Sequence, residues 1–336
     1  MTHRSSPAFR RLSIVTAVVT YLLIVWGGVV RVSGSGLGCG TTNDWPLCHG
    51  QLLPPLQQDA VIEFTHRWLA AMSTTLVATV AVVSLVRWLR IRGDSTAAAV
   101  IEQRRRTAQI SGLVVLLFMV QIVLGAITVK LQLPGYVIAV HLANAEFLLG
   151  SLILLAVRAH FEGTERATTP SRSPAMAAVI AAAIATYALV ITGSLVVASS
   201  ASDACSAWPL CGNGFQLSTT QLATVNLFHR FIAGLVIVAI GIAVMRVARV
   251  HHQCRGIRAV GVVATVLLLA QVIAGAVVVK AHLPAAARGI HLALASALWA
   301  SVVLLAVLVR TAPLDEAPEH PRGTTDTGSS LSPVQS

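Results

Sequence analysis

The sequence predicts an all-α membrane protein: eight transmembrane helices, arranged as two tandem, pseudo-twofold-related four-helix bundles. Three observations predict it: the hydropathy, the distribution of basic residues and an internal repeat. Of the 336 residues, 55% are hydrophobic and only 11% charged, with a mean hydropathy of +0.77. A soluble chain of this length has no interior large enough for that much apolar surface, so the bilayer must serve as part of the solvent.

A hydrocarbon core of about 30 Å takes roughly 20 apolar residues per helix. Runs of this kind fall at about 13–32, 66–89, 110–131, 136–157, 175–198, 222–248, 258–281 and 286–309. Arg10 and Arg11 precede the first run as they would in a signal peptide. The run is too long for one, and Val29-Val30-Arg31-Val32 offers no small-residue cleavage site, so it reads as a retained helix. Residues 311–336 are rich in Pro, Ser, Thr and Gly without apolar periodicity, and read as a disordered cytoplasmic tail.

The formal charge of +11 resembles a nucleic-acid signature until the positions are read. Of the 24 Lys and Arg residues, all but Arg31, Arg67, Lys130, Arg230, Lys280 and Arg288 fall in segments on one side of the membrane. That asymmetry is the positive-inside pattern and places both termini in the cytoplasm. No aromatic residues interleave with the basic ones on a soluble surface, so nucleic acid is not expected as a partner.

The chain repeats itself. Thr20-Tyr21 matches Thr186-Tyr187, and Gly27 matches Gly193. Cys39 with Trp45-Pro46-Leu47-Cys48 matches Cys205 with Trp208-Pro209-Leu210-Cys211, and His66-Arg67 matches His229-Arg230. Gln121, Gly125, Lys130, Pro134 and His141 match Gln271, Gly275, Lys280, Pro284 and His291. Repeats in the same order, each with an even number of spans, share one orientation and are related by an axis along the membrane normal. The halves are predicted at 1–165 and 166–310, each a four-helix bundle.

His66, His141, His229 and His291 each begin an even-numbered span, at one depth beneath the outer surface. Polar groups within spans are costly and usually functional. Two imidazoles on facing helices of one half can sandwich a planar macrocycle, the arrangement of a bis-histidine heme; the bland alternative is a hydrogen bond to a neighbouring helix. Zinc fits poorly, because each half supplies two histidines and no thiol at membrane depth. Glu63-x-x-His66 has di-iron spacing, but a second such pair and two further carboxylates are missing.

Arg67 and Arg230 follow their histidines, where a guanidinium can pair with heme propionates or simply snorkel to the interface. Gln121 with Gly125, and Gln271 with Gly275, read as close helix packing with an interhelical hydrogen bond, or as the floor of a pocket. The outer face is oxidising, so Cys39–Cys48 and Cys205–Cys211 are each expected as a short-loop disulfide. Cys205–Cys211 reads as a staple, and for Cys39–Cys48 a redox role stands beside the structural one. Cys254 reads as a free thiol in a basic loop, without a role. Cys-x-x-Cys-His is absent, which argues against covalent heme attachment.

With Glu63-Phe64-Thr65-His66-Arg67, His141, His229-Arg230, His291 and Cys39/Cys48 in a repeated eight-span topology, residues 13–310 resemble the heme A synthase family. The resemblance implies a bacterial inner-membrane enzyme. It would oxidise a ring methyl of heme O to a formyl group, giving heme A for aa3-type terminal oxidases. It also implies a division of labour: His229 and His291 hold a resident heme b, and His66 and His141 take the heme O substrate. Lipid, the farnesyltransferase that makes heme O, and oxidase assembly factors are the implied partners; a homo-oligomer is left open.

The sequence adds its own asymmetry, because Glu63 in the first half stands where the second has Asn226. One turn from His66, Glu63 can reach the macrocycle rim, stabilise a cationic or radical centre on the methyl and accept a proton from water. Its bland role is a charge near the N-terminus of the second span. A di-heme electron-transfer cytochrome would prefer hemes near opposite faces. A heme carrier or chaperone has no need of Glu63 in one half only. A prenyltransferase would carry aspartate-rich diphosphate motifs, and the spans have none.

Overall fold

A computed structural model describes residues 5–41, 47–93, 98–164, 174–211 and 220–311. The Trp45-Pro46 motif, the 165/166 boundary and residues 312–336 of the predicted tail lie outside the described residues. Eight helices follow in order: α1 (Pro7–Ser33), α2 (Gln58–Leu89), α3 (Ala98–Lys130), α4 (Gly135–Phe161), α5 (Pro174–Ala198), α6 (Gln221–Val250), α7 (Arg255–Lys280) and α8 (Ala285–Thr311). A short 3₁₀ turn, Ala201–Ala204, follows α5. All eight helices are long and apolar enough to cross a membrane.

Local chemistry fixes the helix ends. Pro7 takes the first helical position of α1, and the Ser6 hydroxyl accepts from the Phe9 N–H at 3.2 Å. Gly34, at φ 74°, closes its other end. Several helices run past the apolar spans read from the sequence. Backbone hydrogen bonding does not stop at the lipid boundary, and on α3 the exposed Glu102 pairs with Arg105 and Arg106 one turn on. By the same extension α2 starts at Gln58, so His66 sits about two turns inside the helix rather than at its start.

Helix α1 packs on α2 and α4, and α3 bridges α2 and α4; in the same way α5 packs on α6 and α8, and α7 bridges α6 and α8. Helices α4 and α8 also pack on each other, on α1 and on α5. That central position makes α4 the most buried span, while α7 is the least. Val80, Val114, Leu148, Leu152 and Leu155 form one apolar core, and Val236, Ile240, Leu268, Leu298 and Leu305 another.

The repeat appears in backbone detail. Gln132 and Leu133 adopt left-handed conformations between α3 and α4, as His282 and Leu283 do between α7 and α8. The Leu133 and Leu283 N–H groups donate back to Thr128 and Val278 carbonyls, each at 2.8 Å. At the junction of the halves, the Tyr21 hydroxyl donates to Ala293 O (3.2 Å) and the Tyr187 hydroxyl to Ala143 O (2.9 Å). Glu146 of α4, fully buried, accepts there from the Ser296 hydroxyl of α8.

Candidate functional site

The four histidines lie on α2, α4, α6 and α8, near the end of the molecule that carries the disulfide loops. All four line one cavity of about 1650 Å³, whose walls come from both halves. Each ring rests on a glycine. A Cβ at Gly27 would stand 3.1 Å from His66 Cε1, at Gly125 3.3 Å from His141 Cε1, at Gly193 3.0 Å from His229 Cε1, and at Gly275 3.1 Å from His291 Cε1. Gly125 and Gly275, which the sequence read as helix-packing residues, therefore make room for imidazoles, as do Gly27 and Gly193.

The histidines differ in how they are held. Thr192 donates its hydroxyl to Leu189 O, so its oxygen is free to accept from His229 Nδ1 at 3.1 Å. That contact puts the proton on Nδ1 and leaves the Nε2 lone pair bare. The repeat places Trp26 where α5 has Thr192, and its indole N–H donates instead to Ile62 O at 3.0 Å. His66 Nδ1, like those of His141 and His291, is buried without a hydrogen-bond partner.

Beside one histidine of each half stands a glutamine. Gln121 Nε2 lies 3.1 Å from His141 Nε2, and an amide nitrogen can only donate, so His141 is also protonated on Nδ1. Asn144 Nδ2 donates to Gln121 Oε1 at 2.7 Å and to Leu117 O at 3.0 Å, which fixes the amide. In the second half Gln271 Nε2 is 3.4 Å from His291 Nε2, and its Oε1 is buried without a partner. The position equivalent to Asn144 is Leu294.

Glu63 is buried on the cavity wall. Arg67 donates to its Oε1 from Nη2 at 2.6 Å and from Nε at 3.1 Å, while the Cys39 N–H donates to Oε2 at 2.8 Å. Arg67 Nη1 also donates to Leu47 O at 2.7 Å. The pair thus clamps both ends of the Cys39–Cys48 disulfide loop onto α2. The Cα atoms of that disulfide are 4.8 Å apart, within its normal range.

In the second half Asn226 accepts from Arg230 Nε at 2.9 Å and donates to Ala201 O at 2.9 Å. Arg230 donates further to Ala207 O, Pro209 O and Cys205 O, around the Cys205–Cys211 disulfide. Both arginines line the cavity, yet both are already committed to a loop. Cys254 is a free thiol at the start of α7.

The structure thus brings together every histidine, arginine and glutamate singled out from the sequence. Sequence reasoning missed Thr192 and Asn144. Both were visible as polar residues in apolar spans whose repeat partners, Trp26 and Leu294, cannot make the same bonds.

Fold and site define a polytopic, all-helical membrane protein with paired imidazoles on a large internal cavity. The cytochrome oxidase assembly protein model, COX15-CtaA, matches residues 10–61 and 56–303, and the chain belongs to that family. It is 28% identical over 316 residues to a heme A synthase of Geobacillus thermodenitrificans, covering 90% of this chain and 92% of the relative. It is 30% identical over 306 residues to a heme A synthase of Shouchella clausii, covering 89% of this chain and 96% of the relative.

Proposed function

We propose that the chain is a heme A synthase, an oxidoreductase that converts a ring methyl of heme O to a formyl group. The observation that carries this reading is the set of four imidazoles, two per half, each lying over a glycine on one cavity. The residues fit heme well. At about 1650 Å³ the cavity exceeds the roughly 300–1,000 Å³ of single small-molecule pockets. Four imidazoles, two from each half, supply the donors that two bis-histidine irons need.

His229 and His291, in the half at 166–310, hold the resident heme b, and His66 and His141, in the half at 1–165, receive heme O. Two differences between the halves support this division. Thr192 orients His229 as partners beyond the metal commonly orient ligating histidines, which suits a cofactor that stays. Among the described residues, the one carboxylate on the cavity wall is Glu63, on the helix of His66, and its counterpart is Asn226. When bound, heme b supplies a one-electron redox centre.

Oxidation proceeds as two successive hydroxylations of the methyl, each adding one oxygen atom as hydroxyl and passing two electrons to an external electron acceptor, followed by loss of water from the gem-diol. Glu63 presents negative charge toward the centre that develops on the methyl and accepts a proton there. Arg67 and the Cys39 N–H keep the carboxylate on the cavity wall. Disulfide loops face the outside of the cell membrane and both termini the cytoplasm, a reading that the excess of basic residues on that side supports.

The test is to express the protein with a heme O source and to separate the extracted hemes by chromatography, for wild type, His66→Ala and His229→Ala. Heme A is expected from wild type only, with heme b lost from His229→Ala alone. Heme A absent from every sample would overturn the reading.

A further inference from the structure

The two glutamine–histidine contacts differ in a way that bears on how firmly each site keeps its heme. Ligation to iron uses the lone pair of His141 Nε2, the same lone pair that accepts the Gln121 N–H at 3.1 Å. One nitrogen lone pair serves one partner, so the two bonds exclude each other. Asn144 spends both amide protons behind Gln121, on Gln121 Oε1 and on Leu117 O, and does not itself line the cavity. The Gln121 amide is therefore held with its NH₂ aimed at the ligating nitrogen.

At the other site the same parts are slack. The Gln271–His291 separation is 3.4 Å, Leu294 replaces the asparagine, and Gln271 Oε1 is buried without a partner. Apart from that long contact, nothing among the described residues braces that amide. From this difference we infer that Asn144 and Gln121 form an exchange latch, in which a braced amide competes with heme iron for His141 Nε2. The latch makes the N-terminal site the one that releases its heme. This inference rests on the proposed assignment of heme O to the N-terminal pair and deepens it: a substrate site must let go of its product, whereas a cofactor site need not. Asn144 is a positioning residue, acting only through Gln121.

The test loads full-length protein in detergent with protoheme and follows transfer to excess apomyoglobin by absorbance. Wild type is expected to release heme in a fast and a slow phase, the fast phase missing in His141→Ala. Asn144→Leu, which copies the second half, is expected to slow the fast phase about 3- to 10-fold, the worth of one net hydrogen bond, and to leave the slow phase alone. Leu294→Asn is expected to speed the slow phase by a similar factor.

A merely structural asparagine predicts the opposite sign, since loosening the pocket would speed release from Asn144→Leu. A fast phase that is unchanged or quicker in Asn144→Leu overturns the latch while the heme assignment stands. A wild type with no phase that depends on His141 overturns the assignment, and the latch with it.

Discussion

The Thr192 hydroxyl oxygen stands 3.1 Å from His229 Nδ1, and the repeat gives His66 no equivalent. Groups that orient a ligating histidine through its second nitrogen typically control about 10- to 100-fold of metal affinity. Thr192→Val keeps the shape and removes the acceptor. It is expected to lower retention of the C-terminal heme by about 10-fold or more, with the N-terminal site unaffected. Heme stoichiometry after gel filtration and the slow phase of heme release both measure it. Equal retention in Thr192→Val and wild type would show that the contact does not serve ligation.

The glycine beds separate fold from site. Alanine is more favourable than glycine inside a helix by about 0.8–1.0 kcal/mol. At Gly193 and Gly27 the added methyl meets an imidazole carbon at 3.0 and 3.1 Å, so the ring must shift by a few tenths of an ångström from its ligating position. Gly193→Ala is therefore expected to unfold no earlier than wild type while losing the C-terminal heme, and Gly27→Ala to do the same for the N-terminal heme. Thermal unfolding read beside bound heme tests this. A variant that keeps full heme content would mean that the ring has room to move.

Much of this architecture is legible in the sequence because lipid imposes a simple rule: apolar runs of sufficient length become helices. The same rule is silent where helices leave the lipid, which is why α3 begins at Ala98, well before the apolar run at 110, carried by Glu102 and its arginines. The repeat aligned the four histidines because identical residues recur in identical order. Thr192 escaped because a threonine in an apolar helix ordinarily bonds its own backbone, as it also does here with Leu189. Gly125 and Gly275 announced close approach but not to what, since a glycine records only that a side chain is missing.

Glu63 is bound on both oxygens, by Arg67 and by the Cys39 N–H. Glu63→Gln keeps an oxygen for the Cys39 N–H and removes the charge. If the carboxylate serves the methyl oxidation, heme A output should fall by about 100-fold or more, while both hemes remain bound. Chromatography of extracted hemes, normalised to total heme, gives the answer. Heme A at the wild-type level in Glu63→Gln would reduce the residue to a clamp for the disulfide loop.

Two buried carboxyls outside the cavity wall make a control for these effects. Glu146 accepts from the neutral Ser296 hydroxyl between the halves, whereas Glu162, just past the end of α4, accepts from Arg87 at 2.7 Å and Arg104 at 2.9 Å. The Glu162 side chain is 1% exposed and each arginine 16%, so the cluster is screened little by water. Removing one partner of a buried ion pair leaves charge uncompensated and costs about 3–5 kcal/mol. Here two guanidinium groups lose their shared counter-charge, and among the described residues Arg87 keeps its stack on the Phe9 ring at 4.3 Å and Arg104 a long contact to Arg87 O. Glu162→Gln is therefore expected to shift detergent-denaturation midpoints strongly downward, and Glu146→Gln, which keeps an acceptor for Ser296, to shift them little. Neither substitution touches the cavity, so heme spectra of the folded fraction should match wild type in both. A Glu162→Gln protein as stable as wild type would show that the two arginines are solvated on their own.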